Sequence, residues 1–425
     1  MSERSGGIFY GWFIVGASFV TLFVTTGVGF YTFSVFMIPL ENAFEASRTV
    51  ITGFNSVMAL IAGFATPLIG VLLHRWGARI VIGAGGLVTG AAYIALSRST
   101  EVWHLYVLSF LLGTGLSAST LIPNQTLISH WFVKRRGTAM GMMMIGVAFG
   151  GIMFAPLAQY LIKMVGWRGA YLTFGLVIIA VVTPLAFFVI RRSPESMGLR
   201  PDGEAVTRAE GESIFASVEA GWAGLTVPQT VRTASFWCLF LLNFFMIMGT
   251  SIVTAHVVGM VKASSLGALK GEVAAGLIGA SAISYFLLVS IIGRILGGYF
   301  AERLHKRFVL CALYALLAAS AIVLFKLDSM GVLGVFVFLY GMGMGGSAVV
   351  YPLLVAENFG LLSFSKILGI MGIPFTIGAA IGQVGAAKIF DLTQSYATVF
   401  ITLVCVFAIC CVLALFAKPP KHGPA

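Results

Sequence analysis

Residues Glu272–Phe300 read EVAAGLIGASAISYFLLVSIIGRILGGYF, and after Glu272 the one charge in this run is Arg294. The run exceeds the roughly 20 apolar residues that cross a bilayer as a helix. A cation placed in hydrocarbon costs about 3 to 15 kcal/mol, depending on how it is measured, so it persists where it faces a polar cavity or a partner. An anionic passenger is one such partner. Backbone carbonyls and water inside a helix bundle are another.

The rest of the chain has the same character. Of 425 residues, 59% are hydrophobic and 10% charged, against about 25% charged in soluble domains. This is the composition of an integral membrane protein. Apolar runs at 12–40, 48–73, 80–97, 102–130, 137–162, 168–191, 234–262, 272–300, 308–326, 330–357, 365–390 and 395–416 predict an all-α membrane protein of twelve transmembrane helices, spans 1 to 12. These runs are continuously apolar, whereas the strands of a membrane barrel alternate. The first run is too long for the h-region of a signal peptide and has no small-residue cleavage site behind it, so it reads as span 1.

One long hydrophilic stretch divides the chain: residues 193–233, holding Pro194, Pro201 and Gly203. The expected organisation is an N-terminal six-helix half (1–192), a cytoplasmic linker (193–233) and a C-terminal six-helix half (234–425). The halves echo each other at an offset of 228 positions, which relates Gly70 to Gly298, Arg75 to Arg303, Arg79 to Arg307, Gly113 to Gly341, Gly115 to Gly343, Gly141 to Gly369 and Gly150 to Gly378. Glycine is abundant here, but a constant offset that also aligns loop arginines marks an internal repeat. Parallel six-helix repeats imply a transporter with a central site near the midplane.

With both termini assigned to the cytoplasm, the 26 Lys and Arg residues divide about two to one in favour of that side, as the positive-inside rule requires. That asymmetry accounts for the net charge of +11 without nucleic acid. Cys238, Cys311, Cys405, Cys410 and Cys411 all fall in predicted spans, lack C-x-x-C spacing and read as buried apolar fillers. Met142, Met143 and Met144 read as adaptable packing, so no metal is expected. The chain carries no H-E-x-x-H, no Gly-rich phosphate loop and no clustered acids, which argues against an enzyme and against any cofactor.

Three stretches carry a family resemblance. W-F-V-K-R-R-G-T-A-M-G (Trp131–Gly141) resembles the fifth-span signature of monocarboxylate transporters and of the related oxalate:formate antiporters. Y-G-W-F-I-V from Tyr10 is similar to their first-span signature, and P-E-S-M-G-L-R-P-D-G (Pro194–Gly203) to the loop bacterial members carry after span 6. G-V-L-L-H-R-W-G-A-R (Gly70–Arg79) and G-G-Y-F-A-E-R-L-H-K-R (Gly297–Arg307) resemble the paired loop signature of the major facilitator superfamily, with His74 where the first copy usually carries an acid. The resemblance implies the major facilitator fold. It also implies a conformational latch made of Arg75, Arg79, Glu302, Arg303 and Arg307. The alternative reading of these loops is merely topogenic charge.

In such a family the cavity lies between the halves, lined by spans 1, 4, 7 and 10, and Arg294 matches the eighth-span arginine by its place before G-G-x-x-A-E-R. A planar guanidinium offers a carboxylate two parallel donors. Asn124 and Tyr351, beside Pro123 and Pro352 at near-equivalent depths, are candidate hydrogen-bonding partners of the substrate or of a neighbouring helix. Tyr31, Phe149, Tyr285 and Phe375 are candidate walls. His256 is a candidate for substrate contact and for proton acceptance. Glu357, in A-E-N-F-G, is a second proton-coupling candidate or an ordinary interfacial acid. The animal members carry an aspartate where this chain has Ser290 and a lysine where it has Ile38, so their lysine-to-aspartate proton relay is missing.

A single buried cation suits a monoanion better than a dianion. The expected function is therefore secondary active transport of small monocarboxylates, of the lactate and pyruvate class, by proton symport and alternating access. The expected partners are a small organic carboxylate, a proton and the lipid bilayer. The expected place is the inner (plasma) membrane of a prokaryote, as a monomer. An anion antiporter of the oxalate:formate type, an exporter of another small organic solute, and a sensor that binds without transporting remain open.

Overall fold

Two glycines separate spans that the chain runs together. The computed structural model describes residues 9–203 and 224–420; the central part of the expected linker, 204–223, lies outside the described residues. The described chain is helices joined by short turns. Ten continuous helical stretches are long and apolar enough to cross a bilayer. Two of these, Val50–Leu96 and Arg136–Val189, run to 47 and 54 residues. Each contains one glycine at positive φ, Gly77 (79°) and Gly166 (72°), where helical geometry stops. Only glycine adopts that backbone without steric penalty. Each long stretch therefore holds two spans, and the ten stretches make the expected twelve.

Spans 1 and 4 are interrupted within the apolar region. Span 1 runs Gly11–Thr26, loosens into a π turn over Gly27–Tyr31 and resumes as Phe33–Phe44. Span 4 is Val102–Ser119 followed by Leu121–Trp131, broken at Thr120 (φ −96°, ψ −126°). Spans 7 to 12 are Ala234–Lys262, Glu272–Arg303, Lys306–Val323, Met330–Phe359, Phe364–Thr393 and Ala397–Phe416.

The chain forms two compact units, Met1–Gly224 and Leu225–Ala425. Inside each, glycines set the distance between helices, because lipid supplies no hydrophobic force to press them together and close backbone packing must do it. In the first unit a Cβ on Gly113 would lie 2.7 Å from the Met58 carbonyl oxygen, and one on Gly115 would lie 3.1 Å from that of Gly85. In the second unit a Cβ on Gly341 would lie 2.7 Å from the Phe286 carbonyl oxygen, and one on Gly343 would lie 2.8 Å from that of Leu313. All four glycine and carbonyl pairs are related by the 228-residue offset. The repeat is thus a repeat of helix contacts as well as of letters. Spans 5 and 1 meet in the same way, Gly150 against the Phe23 carbonyl, as do spans 11 and 7, Gly378 against that of Phe244.

The cysteines depart from expectation. Only Cys410 is buried; Cys405 is exposed and the other three are half-buried. A helix at the periphery of a bundle turns part of its apolar surface outward, where lipid rather than protein covers it, and apolar composition does not reveal which face that is.

Candidate functional site

Arg294 lies where spans 8 and 10 approach most closely. Its neighbour Gly293 faces span 10 so tightly that a Cβ there would stand 2.5 Å from the Met342 carbonyl oxygen, and one on Gly297 would stand 2.8 Å from Gly346 Cα. Gly345 in turn abuts the Ser290 carbonyl. Backbones packed this closely leave Arg294 only 3% exposed. One guanidinium nitrogen donates to Ser290 Oγ at 2.5 Å, and that hydroxyl donates to the Leu287 carbonyl at 2.6 Å. The serine one turn before the arginine therefore orients the cation and brings no charge. No acid lies on span 8 between Glu272 and Glu302.

Tyr351, on span 10, donates to the Leu239 carbonyl of span 7 at 3.2 Å. Its hydroxyl thus serves as interhelical glue, as does that of Tyr340, which reaches the Thr250 carbonyl at 3.1 Å. His256 Nε2 is 3.0 Å from the Gln383 carbonyl and joins span 7 to span 11, its ring 6.2 Å from that of Tyr396. Glu357 pairs with Lys306 at 2.5 Å, tying the start of span 9 to the end of span 10. Tyr285 and Phe375 are exposed. Arg303 stacks on the Tyr299 ring at 3.5 Å and Arg307 on that of Phe308 at 4.7 Å, while Glu302 is exposed beside them.

In the first unit Asn124 is fully buried. Its amide nitrogen donates to the carbonyls of Thr120 at 2.6 Å and Ser119 at 3.1 Å, so it satisfies the groups that the break in span 4 sets free. The buried Oδ1 has no hydrogen-bond partner among the described residues. Tyr31 closes the π turn and packs on Gly151, and the Phe149 ring is 6.4 Å from that of Phe19. Arg75 is exposed and Arg79 half-buried beside the Gly77 break.

Three features escape a reading of the sequence. A cleft of about 260 Å³, counting the part open to its surroundings, lies under the π turn among Gly29, Thr32, Asn55, Met58, Tyr93 and Tyr171. None of the candidate site residues lines it. Buried Asn243 links span 7 to the Met371 carbonyl of span 11 at 2.7 Å. Buried Asn358 joins Ser235 Oγ at 2.8 Å and the Ala417 carbonyl at 3.2 Å. An asparagine inside an apolar run was the available signal for the last two.

Several known proteins resemble the chain over nearly its whole length. The sequence profile of the Major Facilitator Superfamily matches residues 17–361 and 272–425. An uncharacterized MFS-type transporter of Bacillus subtilis, YcxA, is 23% identical over 93% of this chain and 91% of its own length. Human monocarboxylate transporter 12 is 25% identical over 96% of the chain and 79% of its own length. Monocarboxylate transporter 2 of Mesocricetus auratus reaches 34% identity, over 39% of the chain and 34% of that protein. The crystal structure of the Escherichia coli fucose:proton symporter FucP superposes with a TM-score of 0.68 over 96% of this chain and 98% of that one, at 15% identity, a likeness of fold alone. Twelve spans in two repeated units, a profile match along nearly their whole length and transporter relatives together place this chain in the Major Facilitator Superfamily, as a multi-pass membrane transporter rather than an enzyme.

Proposed function

We propose that the protein carries small monocarboxylates of the lactate and pyruvate class across the plasma membrane together with a proton, by alternating access, and that the Arg294 guanidinium binds the carboxylate. The observation that carries this reading is the buried Arg294 held by a neutral serine within the apolar run of span 8. The cost of burying a cation falls when an anion binds beside it. The monocarboxylate transporters among the relatives, at 25 to 34% identity, support that passenger class. Asn124, Tyr351 and His256 are the proposed polar contacts, and Tyr31, Phe149, Tyr285 and Phe375 the proposed walls.

Ser290 and Ile38 supply no acid-base pair, so the proton travels on His256, on Glu357, along a water route or on the substrate as neutral acid. The loop residues Arg75, Arg79, Glu302, Arg303 and Arg307, with the Glu357 and Lys306 pair, form the proposed latch that biases one conformation. The protein works as a monomer with both termini in the cytoplasm, and gradients drive it, since differential binding to two states suffices for alternating access.

The test is uptake of labelled L-lactate into proteoliposomes that are alkaline inside, comparing the intact protein with Arg294→Gln. The gradient is expected to stimulate uptake, and the variant to lose it by about a hundredfold, the scale of a desolvated charge-assisted contact. Equal uptake by the variant would remove Arg294 from the site. Absence of uptake by the intact protein would remove lactate as the passenger.

A further inference from the structure

The three stretches that carry the family resemblance, 10–15, 131–141 and 194–203, meet at one end of the first unit. Tyr10 donates to the Val189 carbonyl at 2.8 Å, and its ring lies 5.7 Å from that of Trp131. Gly11 leaves room for the Phe132 ring, which would stand 2.9 Å from a Cβ there. Trp131 Nε1 donates to the Arg191 carbonyl at 3.3 Å, joining the end of span 4 to the end of span 6. Arg136 closes the C-terminus of span 4, donating to the Phe132 carbonyl at 2.9 Å and that of Ser129 at 3.0 Å.

The opposite charge enters from the segment after span 6. One oxygen of Asp202 accepts the backbone N–H groups of Val133 at 3.0 Å and Lys134 at 2.7 Å, and the other accepts that of Arg135 at 3.2 Å. Three consecutive amides converging on one carboxylate form an anion nest at the head of span 5. Asp202 has a left-handed backbone (φ 61°), a conformation that aspartate tolerates and most residues do not. The second unit has a counterpart. Leu225, where that unit begins, donates its N–H to the Phe359 carbonyl at 2.9 Å, at the turn between spans 10 and 11. Phe359 stands 228 residues after Trp131. The described residues just before 204 and just after 223 are therefore held at the equivalent turn of each repeat.

We propose that Asp202 is a positioning residue for transport: its carboxylate fixes the exit segment of the first unit on the turn between spans 4 and 5, so that the ends of spans 1, 4, 5 and 6 move as one body. This role is independent of which solute is carried. It assigns the P-D-G of the loop a partner, the backbone of V-K-R, which neither stretch reveals alone.

The test is hydrogen exchange of the segment spanning 133–139 in reconstituted protein, with uptake kinetics alongside, for Asp202→Gly and Asp202→Asn. Glycine keeps the left-handed backbone and removes the acceptor, so a change cannot be assigned to backbone strain. Asparagine keeps one oxygen for the Val133 and Lys134 amides but turns an NH2 toward Arg135. Exchange at 133–135 is expected to quicken about tenfold or more in the glycine variant and less in the asparagine variant, the scale of lost hydrogen bonds to a charged group. The maximal uptake rate is expected to fall by a similar factor with KM within about twofold, since no substrate contact is touched. A merely structural residue would lower the amount of folded protein and leave the turnover of the folded fraction unchanged, which would overturn the role in transport. Unchanged exchange in both variants would overturn the anchor itself. The exchange measurement needs no passenger, so it stays readable if lactate is not carried.

Discussion

Arg294 and Asn124 show how differently two buried polar side chains can be read. The arginine announces itself, because a charge in an apolar run is costly wherever the helix packs. Its geometry adds a prediction. Arg294→Lys keeps the charge but loses the planar fork, so uptake is expected to fall about tenfold through a higher KM, and it is expected to exceed that of Arg294→Gln. Equal kinetics in the lysine variant would show that a point charge suffices. Asn124 was legible only as a polar group at a certain depth. Its amide nitrogen answers the carbonyls freed at Thr120, 2.6 and 3.1 Å away, and a sequence does not disclose where a helix will break. Asn124→Asp would set acceptor against acceptor and is expected to destabilise the first unit by about 1 to 3 kcal/mol, measured as a lower thermal midpoint in detergent. An unchanged midpoint would mean that the buried aspartic acid takes up a proton and donates from its hydroxyl to one of these carbonyls. Asp202 was missed for a third reason: an acid in a polar loop reads as solvated until its three amide partners are seen.

Among the helices, glycine position decides how close two spans come, and span 10 offers a controlled comparison. A methyl on Gly345 would meet the Ser290 carbonyl, a backbone atom that cannot turn aside, whereas one on Gly334 would meet nothing within 4 Å. Gly345→Ala is therefore expected to destabilise by about 1 to 3 kcal/mol and to displace the backbone that presents Arg294. Gly334→Ala should stabilise slightly, by up to about 1 kcal/mol, through helix propensity. Thermal midpoints of the two variants check both signs, and a gain in both would mean that propensity rather than contact governs span 10. The glycines were visible in the sequence, and the constant offset of Gly113 and Gly341 pointed to shared packing. The carbonyls they abut were not visible, since contact between spans 2 and 4 depends on rotation about each helix axis. The π turn at Gly27–Tyr31 has no letter code either; V-T-T-G-V-G-F-Y reads as an ordinary apolar helix.

For the whole molecule, an even number of crossings puts residue 9 and residue 420 on one side of the bilayer, whichever side that is. The composition of the turns chooses the side. The turns following spans 2, 4, 6 and 8 carry Arg75 and Arg79, Lys134 to Arg136, Arg191 and Arg192, and Arg303 to Arg307, while the turns on the other face are sparser in Lys and Arg. Translocation of cationic loops is resisted, so the rich face is expected to stay in the cytoplasm. Green fluorescent protein fused after Ala425 is then expected to fluoresce, and alkaline phosphatase at the same point to be inactive. Phosphatase inserted after Ala268, in the turn between spans 7 and 8, is expected to be active. The reverse pattern would invert the orientation and put the Asp202 anchor and the Glu357 and Lys306 pair on the outer face. An active phosphatase at both points would contradict the odd number of crossings, spans 8 to 12, that lies between them.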